Sequence, residues 1–451
     1  MSRVHFVTLG CPKNQIDSEI MLGQLTRAGH ELVLDPDASD VLVVNTCALI
    51  GPAKEESIDT ILELARVKAG RAGRRLIVTG CLAQRYADEL RDELPEVDVF
   101  VGTGDLLRIA DAVGLPAADA PRVFREAPHV LPAFASAPRV RTGAWWTSYL
   151  KISEGCDHTC SFCIIPKIRG RHESRPMADL LAEAEALAAA GTLEINLIAQ
   201  DSTAYGRDLR DGTTLAQLLR ALAIRVPAVR WLRLLYAYPA SVTEELLTVM
   251  AEEPAVCRYL DMPIQHISDR MLRAMRRERS GAAVRRLVER IRTAVPGIAL
   301  RTTFIVGFPG ETEADVRELC GFIEEARFEH VGVFRYSHEE GTAAGALPDD
   351  VPEAEKVARF ERVMASQARV AAAHAAKLQG RVVEVLVEES DGAGNCTART
   401  SQQAPEIDGV VKLRGDVEPG TLVPARIVGA ATYDVDAEIV HKPVDRVVPS
   451  P

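Results

Sequence analysis

The stretch EGCDHTCSFCIIP, residues 154–166, places Cys156, Cys160 and Cys163 in one short loop directly after the apolar run SYLKIS (148–153). CxxxCxxC spacing lets a tight loop wrap three corners of an iron–sulfur cubane, for which soft thiolates are the suited ligands. Four irons held by three protein thiolates leave one iron open. An open iron can chelate a small molecule, which a cluster closed by four cysteines cannot. Zinc is the competing reading; it needs a fourth ligand, for which His158 is poorly placed and His172 is the candidate.

Outward from this loop, residues 147–375 repeat a strand-then-helix rhythm six times. The strand candidates are SYLKISE, LEINLIAQ, VRWLRLLYAY, CRYLDMPIQ, IALRTTFIVG and HVGVFRYS. Six β/α units are too few for a complete eight-unit barrel but enough for a partial one, with its chemistry at the carboxyl ends of the strands. A CxxxCxxC loop after the first strand of such a segment resembles the radical S-adenosylmethionine superfamily. The resemblance implies that the open iron binds the cofactor's methionine moiety and that the cofactor is cleaved to a 5′-deoxyadenosyl radical.

Before the loop, VHFVTLG (4–10), VLVVNT (41–46), RLIVTG (75–80) and VDVFVG (97–102) read as buried parallel strands, because apolar residues run through them without alternation. Amphipathic helical stretches at 18–28 and 53–68 make this an α/β unit. Three of its strands end directly in a cysteine: VTLG-Cys11, VVNT-Cys47 and IVTG-Cys81. No short motif links these thiols. Adjacent parallel strands nevertheless present their carboxyl ends along one edge, so the three are expected to be neighbours and to form a second three-cysteine cluster. Chance burial of three cysteines is the alternative. Cys257, Cys320 and Cys396 lack such partners and are expected to be core or incidental thiols.

The expected architecture is α/β. An N-terminal parallel α/β domain (1–114) is followed by a Pro/Ala linker (115–144), a partial (β/α)6 barrel (145–376) and a small all-β barrel (377–445) of about five strands. The linker reading rests on Pro116, Pro121, Pro128, Pro132 and Pro138 among alanines.

With 47% hydrophobic and 26% charged residues among 451, the chain reads as globular. Its formal net charge of −11 disfavours a broad nucleic-acid grip and suits a basic partner. No run approaches the ~18 apolar residues of a membrane span. The apolar run before Cys11 is too short for a signal peptide and contains His5, so a cytoplasmic protein is expected, without membrane contact. Nine cysteines, an odd number, in a reducing compartment point to metal, catalysis or packing rather than disulfides. Nothing demands more than a monomer.

Taken whole, the three-part chain resembles the methylthiotransferase family, with a TRAM-like terminal domain. TLGCPKNQIDSE (8–19), IAQDSTAYG (198–206) and YLDMPIQHISD (259–269) resemble the RimO branch, which modifies an aspartate of the twelfth small-subunit ribosomal protein. Ser202 is a mild departure. FIVGFPGETE (304–313) and RYSHEEGTAA (335–344) are common to much of the family. The tRNA branch usually carries Gln-Met-Asn after the first cysteine and is disfavoured. From Lys377 onward, twelve Asp/Glu face eight Lys/Arg, and Tyr433 is the only aromatic residue, a poor composition for RNA binding.

The resemblance implies two [4Fe-4S] clusters, on Cys11, Cys47, Cys81 and on Cys156, Cys160, Cys163. S-adenosylmethionine would be bound at the second of these, and both open irons would face one cavity. It names no electron donor. Gln200 and Asp201, at a strand's carboxyl end, are candidate catalytic residues, with capping of the next loop as the alternative. Gln265 and His266 occupy a similar edge. Gly307, Gly310 and Glu311 in the FPGE stretch are cofactor-side candidates, though Pro-Gly-Glu is also an ordinary helix start. Tyr336 and Glu340 are weaker candidates. Arg169 and Arg171 could be counter-charges for a carboxylate, or solvated surface residues.

Overall fold

The computed structural model describes residues 1–115, 122–128, 137–277 and 280–440. Strands β1 (Arg3–Thr8), β2 (Glu31–Leu32), β3 (Val41–Thr46), β4 (Arg75–Gly80), β5 (Val99–Val101) and β6 (Arg122–Phe124) form one sheet in the order β2-β1-β3-β4-β5-β6. Every neighbouring pair is parallel. All six residues of β3 are buried, which is why its sequence shows no polar alternation. The register pairs Thr8 with Asn45 and Thr46 with Gly80. Three strands thus end nearly level, and the residues that follow meet at one edge.

Strand β6 corrects the linker reading of 115–144. Arg122–Phe124 extends the first sheet, with Val99 opposite Arg122. Three residues among prolines are too short to show a period. Farther along, Arg139 bonds Glu19 at 2.5 Å and Glu183 at 2.7 Å. That end of the stretch is therefore a strut between the helices Pro12–Arg27 and Met177–Ala189. Pro116, Pro121 and Pro132 lie outside the described residues, as do positions 441–445 at the end of the expected terminal domain.

The cysteine loop begins after β7 (Thr147–Lys151) and is pinched by two short antiparallel strands, β8 (Ser153–Glu154) and β9 (Glu173–Ser174). Then follow β10 (Glu194–Ile198), β11 (Trp231–Leu234), β12 (Val256–Asp261), β13 (Ala299–Val306) and β14 (His330–Arg335). The sheet order is β14-β13-β12-β11-β10-β7, parallel throughout, and among the described residues β14 does not pair with β7. This is the partial barrel that six β/α units imply.

Its inward residues Tyr149, Ile198, Trp231, Tyr259 and Ala299 share one core with Val4, Ile16 and Leu25 of the N-terminal unit and with Leu386 and Ala404 of the C-terminal one. The flanking units thus fill the opening an incomplete barrel leaves. The C-terminal unit is a closed barrel, β15-β16-β17-β19-β18, of β15 (Val382–Ser390), β16 (Asn395–Thr400), β17 (Val411–Arg414), β18 (Leu422–Ala430) and β19 (Val435–Ile439). Cys257 and Cys396 are buried in cores and Cys320 packs against one. No helix among the described residues is long and apolar enough to cross a membrane.

A buried ion triad fastens the two barrels. Glu194, at the start of β10, accepts from Arg233 at 2.8 Å and from Arg399 of β16 at 2.6 Å, all three essentially without solvent exposure. Burial alone would raise the Glu194 pKa, but Arg399 and Arg233 hold it down to about 2. A depressed carboxylate pKa adds stability that is complete above the unfolded value, near 4.5, and is lost as pH falls toward 2. Glu194→Gln is therefore expected to destabilise the fold at pH 7 by about 1.5–3 kcal/mol. Its urea midpoint should change less than the parent's between pH 4.5 and 2; an unchanged midpoint at pH 7 would show that the triad does not hold the barrels.

Candidate cofactor centre

Gly155 opens the cysteine loop at φ +75°, and a Cβ there would stand 1.9 Å from the Arg171 carbonyl oxygen, so only glycine lets the two ends of the loop meet. The Cys156 N–H donates to the Gly170 carbonyl, and the Cys163 N–H to that of Cys160. Ser161 ties the loop outward, its N–H to Met275 and its hydroxyl to Ala274. The backbone thus fixes the loop and leaves the thiols to line a cavity of about 140 Å3 with Gln200, Tyr236, Tyr238, Gln265 and Arg277. A larger cavity, about 830 Å3, lies between the two barrels and contains none of these thiols. Donor chemistry, and not volume, marks the site.

Burial pushes Cys156 up to about 11 and Cys163 up to about 12. Both are neutral thiols at pH 7 until a metal displaces their protons. Among the described residues, no three His, Cys, Asp or Glu side chains converge as the ligands of a single metal ion do. The three loop thiols nevertheless line one cavity, and three thiolates can hold corners of a multi-iron cluster.

Of the polar candidates, Gln200 and Gln265 reach the cavity. Gln200 donates to Glu154 Oε1 at 2.5 Å, and Gln265 sits at φ +77°. Among the described residues, the buried amide oxygens of both have no hydrogen-bond partner. Asp201 serves two ends: Oδ1 accepts from the Thr203 N–H and hydroxyl, capping the next turn, and Oδ2 lies 2.7 Å from His158 Nε2. His158 stacks on Tyr238 with centroids 3.7 Å apart, and Arg277 lies over that same ring, 3.4 Å from Cys160 Sγ. His158 is thus a wall of the cavity held by Asp201. Arg277 gave no sign in the sequence, lying in a run of arginines on a helix-like stretch.

His266 and the FPGE residues do not line this cavity. Nδ1 of His266 accepts two backbone N–H groups, from Ile267 and Ser268, so Nε2 carries the proton toward Glu311 at 3.1 Å. Glu311 also accepts from the Gly307 N–H and from Arg359. Gly310 bridges Asp350 and Arg270. This is a closed internal brace: polar residues at a strand edge read alike whether they face a ligand or each other. Tyr336 packs on Phe308. Glu340 contributes a carbonyl to Arg85, while its neighbour Glu339 pairs with both Lys54 and Arg85 of the N-terminal unit.

The structure brings the strand-end thiols together. Cys11 caps the helix Pro12–Arg27, Cys47 follows β3, and Cys81 opens the helix Cys81–Glu93. Gly10 lies so close to Cys47 that a Cβ on it would stand 2.9 Å from the Cys47 Cβ and 3.3 Å from its sulfur. Cys11 acts electrostatically on Cys47, and both act on Cys81. Burial pushes Cys81 up to about 12 and raises Cys47 as well. The helix N-termini at Cys11 and Cys81 favour the thiolates that iron binding would create.

Buried charges connect the two triads. Arg169 ends the short helix after the cysteine loop, yet its guanidinium lies in the N-terminal unit: 2.6 Å from Asp17 and 3.3 Å from Cys81 Sγ, with Asn14 as a further partner. Lys151 joins Asp17 at 2.6 Å to Glu154 at 2.7 Å, and Glu154 holds Gln200 of the cavity. Arg169 is 3% exposed and Arg171, paired with Asp157, 91%. The solvated-surface reading therefore fits Arg171 only. Arg169 is a structural cation between the two cysteine sites.

The partial barrel with its three-thiol loop defines a radical S-adenosylmethionine enzyme. Residues 150–323 match the Radical SAM superfamily, residues 3–102 the Uncharacterized protein family UPF0004, and residues 380–440 the TRAM domain. The radical S-adenosylmethionine methyltransferase TsrM from Kitasatospora setae, solved with cobalamin and a [4Fe-4S] cluster, is similar in fold. Its TM-score is 0.55 at 17% identity, over 76% of this chain and 77% of that one.

Relatives that span nearly the whole chain are ribosomal protein uS12 methylthiotransferases, RimO. That of Anaeromyxobacter sp. (strain K) is 50% identical over 448 residues, 99% of this chain and 95% of the relative. That of Geobacter sulfurreducens is 47% identical over 450 residues, 97% and 98%. The chain belongs to the RimO family of radical S-adenosylmethionine methylthiotransferases. An iron–sulfur cluster and S-adenosylmethionine are its cofactors.

Proposed function

We propose that this chain transfers a methylthio group to the β-carbon of an aspartate in ribosomal protein uS12, using two [4Fe-4S] clusters held by Cys11, Cys47, Cys81 and by Cys156, Cys160, Cys163. The supporting observation is the buried bridge of Arg169, Asp17, Lys151 and Glu154, which runs from Cys81 of one triad to Gln200 in the cavity that the other triad lines. When bound, S-adenosylmethionine and the clusters supply the electron, the hydrogen-abstracting radical and the sulfur chemistry.

The chain's residues do the rest. The three loop thiols hold one cluster, and the strand-end thiols the other. Gln200 and Gln265 offer unsatisfied amide oxygens to a ligand bringing N–H donors, as the amino group of S-adenosylmethionine does. Tyr236 and Tyr238 wall the cavity with rings and would exclude water from it when the cofactor is bound.

The acidic C-terminal domain, with its single aromatic residue, suits a basic protein better than RNA. The reaction belongs in the cytoplasm, where ribosomal proteins are met, and the chain acts as a monomer. The test is an anaerobic assay of reconstituted enzyme with uS12 and with tRNA. Methylthiolated uS12 by mass spectrometry, with unmodified tRNA, is the expected result; methylthiolated tRNA and unmodified uS12 would refute the reading.

A further inference from the structure

Lys13 belongs to the charged group around the two triads, and among the described residues no carboxylate pairs with it. It is 7% exposed, and its Nζ lies over the ring of Tyr236 at 2.9 Å from the centroid. Among the described residues, no hydrogen bond or ion pair reaches that ammonium. The nearby carboxylates are all committed. Asp17 and Glu154 bind Lys151 and Arg169. Asp261 accepts from Arg301 at 2.9 Å and from the Tyr236 N–H at 3.1 Å.

A buried cation held only against an aromatic face is incompletely compensated, since a ring does not replace the hydrogen bonds an ammonium loses on leaving water. Its location is equally specific. Lys13 stands two residues after Cys11 of one triad, while Tyr236 beneath it lines the cavity of the other and is held at φ +62°. A fold that carries such a cost at the junction of two reactive sites holds a group poised for a ligand.

We propose that Lys13 is a substrate-positioning residue whose ammonium binds the side-chain carboxylate of the target aspartate, with Tyr236 fixing its direction. This rests on the uS12 reading above. A carboxylate paired with Lys13 would place the adjacent β-carbon between the two triads, where hydrogen removal and sulfur delivery must both reach it. A charge-assisted hydrogen bond from a desolvated ammonium also distinguishes aspartate from asparagine, which offers the same shape without the charge.

The test is binding, measured anaerobically with the cluster-loaded enzyme, of uS12 and of uS12 whose target aspartate is replaced by asparagine. The parent enzyme is expected to prefer the aspartate form by roughly tenfold to a hundredfold. Lys13→Met should bring that ratio near one, and Lys13→Arg should restore most of it. Iron content per chain is measured in each variant, so that loss of the cluster beside Cys11 is not mistaken for loss of recognition. Should Lys13→Met fail to load iron, the ratio for Lys13→Gln decides instead.

A parent enzyme that methylthiolates uS12 but does not distinguish the two forms would overturn the role of Lys13 alone. So would a charge-free variant, fully loaded with iron, that keeps the parental ratio. A parent enzyme that neither binds nor modifies uS12 would overturn the function together with it.

Discussion

Replacing Cys11, Cys47 and Cys81 together by alanine is expected to lower reconstituted iron from about eight to about four per chain. Methylthio transfer should fall below detection while 5′-deoxyadenosine is still formed. The reason is spatial. The three thiols close the ends of neighbouring strands in one sheet, whereas the loop of Cys156, Cys160 and Cys163 is built by its own backbone contacts and by Ser161. The loop can therefore load without the sheet edge.

The converse triple substitution at Cys156, Cys160 and Cys163 should also halve the iron, but it should abolish 5′-deoxyadenosine as well. Iron counting, electron paramagnetic resonance of the reduced enzyme and chromatography of the nucleoside separate these outcomes. Four irons in the parent, unchanged by the first substitution, would remove the second cluster from the mechanism. Circular dichroism of both variants reports whether the fold survives. Cys81 is buried among apolar residues, where alanine loses little packing, and Cys47 is buried as well.

The nearness of these three strand-end thiols was legible in the sequence because its signal is topological. Continuous apolar runs announce parallel strands, and a cysteine just past each run can lie only at the sheet's carboxyl edge. What escaped reading depends on contacts between distant parts of the chain. Arg169 reads in the sequence as a counter-charge for a carboxylate or a solvated residue, and only its approach to Asp17 and Cys81 makes it a buried bridge.

Lys13 sits inside the most diagnostic stretch, TLGCPKNQIDSE, yet nothing local shows that Tyr236, more than two hundred residues away, lies beneath it. His266 and Glu311 err in the opposite sense. They stand at strand ends where sites form, and satisfy each other instead. Strand β6 failed for a third reason, because three residues cannot display a period of two.

Arg169→Met should be the most damaging single change outside the cysteines. Asp17, Glu154, Lys151 and Arg169 make a neutral buried quartet, and removing one cation leaves two carboxylates sharing Lys151. An uncompensated buried charge costs about 3–5 kcal/mol, so the urea midpoint should fall by that amount divided by an unchanged slope.

Adding Asp17→Asn to the methionine variant restores neutrality and should recover a large part of the loss, although Asp17→Asn alone destabilises. Recovery would identify charge balance, and not the packing of the arginine stem, as the cause. Arg169→Lys should rescue only partly, because a point charge cannot reach Asp17, Asn14 and Cys81 at once as the guanidinium fork does.

The same variant probes coupling between the two sites. Arg169 is carried by the helix Ile165–Arg169 that leaves the cysteine loop, and it ends beside the sulfur of Cys81. Loss of that tie should let 5′-deoxyadenosine form without a matching yield of methylthiolated product. The ratio of the two should rise at least several-fold even at temperatures where the variant stays folded. A variant that is destabilised but keeps the parental ratio would confine Arg169 to holding the two units together. A raised ratio would make the arginine part of the register between radical formation and sulfur delivery.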